Sequence, residues 1–221
     1  MKLSKFFRLF FPFAMLGIPW IYLAYIWNEL PQTVATHFGI NGAADRFGDK
    51  SEVVFIMLII AAAGLATYFI LQNLYKIDPK KKYTETTSAV MKKISAVVIM
   101  LLSFLLFFIL NSMLHAKITG MPVLFCGLSL FLAYTGNLMH SIKPNYFAGI
   151  RIPWTLESED NWRKTHQLAS KVWFAGGIFL AILSLLLNTK ILMATFLSIV
   201  VIMLAIPIIY SYVLYKRSLQ N

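Results

Sequence analysis

The sequence predicts an all-α, polytopic integral membrane protein with six transmembrane helices and both termini in the cytoplasm. Three observations carry that prediction. Six windows of the chain are apolar and free of Asp, Glu, Lys, Arg and His. Only 13% of the 221 residues are charged and 59% are hydrophobic, with a mean hydropathy of +0.71, whereas a soluble domain carries about 25% charged residues. The remaining cations are unevenly distributed. Six spans with the termini inside leave sixteen Lys and Arg on the inner side and four on the outer, the asymmetry that keeps basic segments in the cytoplasm.

A spanning helix needs roughly 20 apolar residues, because each rises about 1.5 Å through a hydrocarbon core of about 30 Å. The first window, 9–27, follows Lys2, Lys5 and Arg8. Those flanks resemble a signal peptide, but nineteen apolar residues exceed an h-region and no small-residue cleavage site follows, so the segment is expected to stay in the mature protein. Windows 53–75, 94–114 and 118–139 are of spanning length. The fifth, 172–187, has only sixteen residues and is expected to borrow 168–171, with Lys171 snorkelling to the interface. The sixth is 191–215. Pro12, Pro19, Pro122 and Pro207 lie in or near these windows; such prolines kink helices, and neighbours re-satisfy the carbonyls they free. Ala62/Ala66 and Gly177/Ala181, four residues apart, are expected at close helix contacts. Asn137, at the inner end of span four, reads as an interhelical hydrogen-bonder. Cys126 is the single cysteine, which excludes an intrachain disulfide, and it reads as a buried small hydrophobe.

The chain divides into an N-terminal two-span region, 1–93, and a four-span region, 94–221. The first holds an extracytoplasmic loop, 28–52, and a basic cytoplasmic loop, 76–93. The net charge of +11 belongs to cytoplasmic segments facing anionic membrane lipids, so direct nucleic-acid binding is not expected. No cofactor motif is present, and no metal-ligand spacing.

Loop 28–52 gathers Glu29, His37, Asp45, Asp49 and Glu52 with Gly39, Gly42 and Gly48. It reads either as a recognition site, in which His37 and Asp45 bind a metal or contact a peptide, or as a turn-rich solvated connector. A His eight residues from an Asp has no recognised metal spacing.

Segment 143–173 is polar and aromatic in an otherwise apolar chain. Lys143-Pro144 and Ile152-Pro153 push the residues before proline toward extended geometry, which predicts a non-helical strap over 143–154. Thr155 reads as the N-cap of a following helix, with Glu157, Glu159 and Asp160 in its first turns. Glu159/Arg163 and Asp160/Lys164 are acid-before-base pairs at i,i+4. Trp162, His166, Ala169 and Trp173 share one face, with Arg163, Lys164, Gln167 and Lys171 on the other. This predicts an interfacial cytoplasmic amphipathic helix before span five, with Trp154, Trp162 and Trp173 at headgroup depth. His166 reads as a catalytic base or as a hydrogen-bonded structural residue. Arg151 reads as a headgroup ligand or as a pin for the strap at a helix C-terminus.

Two stretches also resemble a known family. "GNLMHSIKPNYFAGIRIPWTLESEDNWRKTHQLASKVW", residues 136–173, is similar to the signature of the SdpI-like immunity proteins: G-N, then K-P-N-x-F-x-G-I-R-x-P-W-T-L, then W-x-x-T-H. "LPQTVATHFGINGAADRFGDKSE" is similar to the pattern of the domain of unknown function commonly found ahead of that signature. The chain departs from the family at Gln167, where an arginine is usual. Carried over by position, the signature residues are Asn137, Lys143, Pro144, Asn145, Phe147, Gly149, Arg151, Pro153, Trp154, Thr155, Trp162, Thr165 and His166. His37, Gly42 and Asp45 are those of the outer loop. The resemblance assigns no chemistry to any of them. It implies a multi-pass protein of the bacterial plasma membrane, both termini inside, that protects its producer against a secreted toxic peptide and reports that peptide to a cytoplasmic regulatory protein.

Two other classes compete with an immunity protein or signal receptor. A secondary transporter or exporter usually places ionisable residues within the bilayer, and the six windows have none. A membrane enzyme would use His166 with Asp160 or Glu157, or His37 with Asp45, but neither pair comes with a nucleophile or a metal motif.

Overall fold

The computed structural model describes residues 2–39, 42–78 and 84–220. Lys80, Lys81 and Lys82 of the expected basic loop lie outside them. Among the described residues six helices are long and apolar enough to cross a membrane. They are α1 (Lys2–Ile26), α2 (Ser51–Asn73), α3 (Thr84–Leu114), α4 (Met121–Met139), α6 (Glu159–Leu186) and α7 (Thr189–Ser218), with a short α5 (Pro153–Glu157) before α6. At most 33% of any helix's apolar window is buried within the chain. The rest presents Leu, Ile, Phe and Val outward, as helices do whose solvent is lipid. The protein is polytopic and mostly helical. The chain forms two compact units, Met1–Ile70 with Ser95–Leu124, and Leu71–Ile94 with Phe125–Asn221.

The first unit packs α1, α2 and the C-terminal part of α3 around Leu16, Leu23, Ile26, Met57, Tyr68, Ile99, Leu106 and Leu110. Gly64 faces this core, where a Cβ would press on Leu102 and Ile99 at 3.1 and 3.3 Å. Ala62 and Ala66 lie on the exposed side of α2, so the small-residue contact expected of them belongs to Gly64 instead. Two residues on, the helix has turned by about 200°.

Loop 28–52 is an antiparallel hairpin, β1 (Thr33–Phe38) with β2 (Ala44–Asp49). Sequence alternation does not predict it, because Val34 and Ala35 are adjacent yet both fully buried and the register shifts on either side of His37. Asp49 Oδ1 accepts the Ser51 hydroxyl at 2.6 Å and the Ser51 N–H at 2.8 Å. These bonds cap the start of α2 and hold the Asp49 carboxyl below the usual carboxylate range. Lys50 is buried, with Nζ donating to the Leu30 carbonyl at 3.1 Å and lying 4.5 Å from the Trp27 ring centroid. The Ile118 N–H donates to the Gly42 carbonyl at 2.9 Å. The α1–α2 and α3–α4 connections therefore meet at one end of this unit.

The second unit packs α4, α6 and α7. Gly136 and Gly177 let α4 and α6 approach backbone to backbone. A Cβ at 136 would lie 2.5 Å from Trp173 Cβ, and one at 177 would lie 2.6 Å from the Ala133 nitrogen. Gly177 and Ala181 are both buried, as their spacing suggests. The polar stretch from Glu159 and the apolar run from Val172 form one unbroken helix. Its N-cap is Ser158, whose Oγ accepts the Asn161 N–H at 3.2 Å. Thr155, expected as the cap, instead sits inside α5. Pro153 opens that helix, because a proline's fixed φ suits a first helical position.

Pro12, Pro19 and Pro207 lie inside helices. Each lacks the N–H that would pair with the carbonyl four residues earlier. In every case a side chain from another helix supplies the missing donor. The Tyr68 hydroxyl donates to Arg8 at 2.8 Å, the Ser103 hydroxyl to Met15 at 2.7 Å, and Trp173 Nε1 to Met203 at 2.9 Å. Pro122 is the second residue of α4, where no such bond is lost. Trp173→Phe keeps the ring's bulk but orphans the Met203 carbonyl. It is expected to cost about 1–3 kcal/mol, measured as a lowered melting temperature in detergent; an unchanged melt would show the carbonyl satisfied otherwise.

Candidate functional site

The signature segment folds around two buried polar hubs. Asn145 is the first. Its Oδ1 accepts the N–H groups of Phe147 and Ala148 at 2.7 and 2.8 Å, and its Nδ2 donates to the carbonyls of Lys143 and Ala148 at 2.8 and 3.1 Å. One side chain thus supplies the bonds a regular element would give this stretch, which a carboxamide can do because it carries both donors and acceptors. Pro144 is buried beside it and Phe147 is half-buried. Gly149 follows at φ +108, against the imidazole of His166. A Cβ there would collide with His166 Nε2, so glycine is required both for backbone angle and for space.

His166 Nε2 accepts the Ile150 N–H at 3.0 Å, and Nδ1 donates to the Trp162 carbonyl at 2.8 Å. An imidazole between an N–H and a carbonyl is neutral, with its proton on Nδ1. The ring stacks on Trp162 at 4.2 Å, and Trp162 Nε1 donates to the Ile142 carbonyl at 2.8 Å. His166 is 1% exposed and both nitrogens are engaged with backbone. That is the structural of its two readings: the lone pair a general base needs is already bound. Thr155, fully buried, accepts the Ile152 N–H at 3.1 Å and donates to the Ile150 carbonyl at 2.8 Å.

Asn161 is the second hub. Its Oδ1 accepts from the hydroxyls of Thr165 and Ser211, each at 3.0 Å, and its Nδ2 donates to the Ser211 carbonyl at 3.0 Å. Ser211 Oγ in turn accepts Trp154 Nε1 at 2.6 Å, and the Trp154 ring stacks on Tyr215 at 5.6 Å. This network ties α5 and α6 to α7. Neither Asn161 nor Ser211 stands out in the sequence. The one available signal is that Asn161 and Thr165 are four residues apart on the buried face. Asp78, 3% exposed, likewise carries no sequence signal; the Tyr146 nitrogen lies 3.4 Å from its carboxylate.

Lys143, Tyr146 and Arg151 form the exposed rim of the strap. The Arg151 guanidinium donates to the Tyr146 carbonyl, so it pins the strap to itself and not to a helix C-terminus. Asp160 pairs with both Arg163 and Lys164 at 2.6 Å. Asn137 is exposed on α4, and its side chain makes no hydrogen bond to another helix among the described residues.

On the hairpin, His37 Nδ1 and Asp45 Oδ1 are 2.5 Å apart, each side chain about half exposed. Gly42 turns at φ +75. Among the described residues no three His, Cys, Asp or Glu side chains group closely enough to hold a metal ion.

Residues 141–211 match the model of the SdpI/YfhL protein family, and residues 14–62 match the domain of unknown function DUF1648. The chain is 26% identical over 194 residues to the immunity protein SdpI of Bacillus subtilis (strain 168), covering 87% of this chain and 88% of that protein. It is 35% identical over 48 residues to an uncharacterized protein of Archaeoglobus fulgidus, which is 22% of this chain and 26% of that protein. No solved structure matches the chain. Both polar hubs, from Asn145 to Ser211, fall inside the first matched segment, and the hairpin falls inside the second. The chain thus carries two matched segments in order, one similar to DUF1648 and, behind it, one similar to the SdpI/YfhL protein family.

Proposed function

We propose that the protein is a membrane immunity protein that protects its cell against a secreted toxic peptide. The observation that carries this reading is the similarity to an immunity protein over 88% of that protein's length. The mechanism is recognition, not bond-making. The ordered hairpin with its exposed His37–Asp45 pair contacts the peptide outside, and capture there removes it from the lipid. Sixteen of the twenty Lys and Arg fall on the same side of the six spans as the termini, which supports an orientation with both termini inside.

A receptor role is a finer reading of the same protein. The strap is held rigid from within by Asn145 and His166 and presents Lys143, Tyr146 and Arg151 outward. A rim of that kind suits a soluble acidic partner. Deletion of the gene followed by challenge with peptides secreted by the same and neighbouring strains tests the first reading, and unchanged sensitivity to all of them would remove it. Complementing the deletion with His37→Ala/Asp45→Ala and with Lys143→Ala/Arg151→Ala separates the roles. The hairpin pair is expected to lose protection; the strap pair is expected to keep it while losing peptide-dependent binding of the cytoplasmic partner.

A further inference from the structure

Between α5, the start of α6 and the end of α7 lies a cleft of about 430 Å³, within the roughly 300–1,000 Å³ of small-ligand sites. Trp154 and Tyr215 wall it, and Glu157, Asp160, Lys164 and Arg217 line it. Their charges are not equivalent. Asp160 is neutralised by Arg163 and Lys164, each 2.6 Å away. Glu157 and Arg217 make no ion pair among the described residues. The cleft therefore offers one uncommitted anion and one uncommitted cation, with Lys164 in support of the cation.

The position of the cleft says what carries the matching charges. Arg217 is in the last turn of α7, where the apolar run has just ended. Directly along the same stripe of α7, at i−4, i−7 and i−11, lie Val213, Tyr210 and Ile206, all exposed. A ligand whose charged end fills the cleft thus finds an apolar wall leading away along a membrane helix. We infer that the cleft binds the headgroup of a phosphatidylethanolamine molecule, with its phosphate on Arg217 and Lys164, its ammonium on Glu157, and its acyl chains along the Val213–Tyr210–Ile206 stripe. A purely anionic headgroup would leave Glu157 facing negative charge, and a choline headgroup cannot donate a hydrogen bond to it. This inference does not depend on the immunity reading.

Native mass spectrometry of the detergent-purified protein, titrated with phosphatidylethanolamine, phosphatidylglycerol and phosphatidylcholine of identical acyl chains, tests it. The wild type is expected to retain phosphatidylethanolamine at least fivefold better than the other two. Glu157→Gln should abolish that preference, and Arg217→Gln should lower retention of phosphatidylethanolamine by a similar factor. Both residues are exposed, and an unchanged melting temperature of each lipid-free variant will show that it folds. Equal retention of the three lipids by the wild type, or a preference that survives Glu157→Gln, overturns the assignment. Free phosphoethanolamine at millimolar concentration is expected to leave bound lipid in place; displacement as complete as that by the lipid itself would make this a site for a soluble zwitterion and overturn the lipid assignment.

Discussion

Gly149→Ala is expected to destabilise the protein by about 2–5 kcal/mol, combining backbone strain at φ +108 with overpacking against His166. Relieving the collision means moving the imidazole, which breaks its bond to the Ile150 N–H and disturbs its stack on Trp162. The effect should appear as a large fall in the melting temperature of the detergent-purified protein. His166→Ala alone is also expected to destabilise, because it orphans the Ile150 N–H and leaves a hole beside Trp162. The double variant discriminates: with the ring gone the added methyl has room, so the pair should cost at least about 1 kcal/mol less than the sum of the single changes. Strict additivity would mean that the strap does not seat against His166. A catalytic histidine predicts another pattern, in which His166→Ala removes activity and leaves the melt unchanged.

Asn161→Leu carries the second large effect, an expected loss of about 2–4 kcal/mol. The leucine nearly matches the amide in shape, so the change acts chiefly through hydrogen bonds. It strips the acceptor from the hydroxyls of Thr165 and Ser211, both fully buried, and each orphaned group costs about 1–3 kcal/mol. Adding Ser211→Ala in that background should cost less than in the wild type, the remaining loss being the acceptor it gives the Trp154 indole N–H. A variant that melts within a degree of the wild type would show that the network does not support the α5–α6–α7 junction. Trp154 fluorescence gives an independent readout, since its indole N–H ends the same network at Ser211.

Much of this architecture was legible in the residues. All six windows are helices, because an uncharged run of spanning length has no other way to satisfy its backbone in lipid. The prolines pointed to carbonyls in need of partners, and three such partners exist. The buried face of α6 followed from spacing alone, with Trp162, His166 and Ala169 all inside. The family resemblance located the residues of both matched segments but not what they do. Where reading failed, the cause was local. Thr155 and Ser158 are both competent caps, and nothing near them announces that Pro153 starts a separate short helix. The hairpin was hidden because its buried pair is adjacent in sequence and its register is bulged.

Composition, charge and hydrophobic run length by themselves determined that this chain is a polytopic membrane protein with six apolar segments of spanning length, since burial in lipid is a property of each segment summed along its own length. Which donors meet which acceptors was decided only in three dimensions. Asn161 finds Ser211 fifty residues away, Gly149 finds His166 across the strap, and Tyr68 finds the carbonyl that Pro12 frees. A hydrogen bond depends on a few tenths of an ångström between groups that the sequence keeps far apart. The division of the signature residues into buried supports and an exposed rim therefore belongs to the tertiary structure.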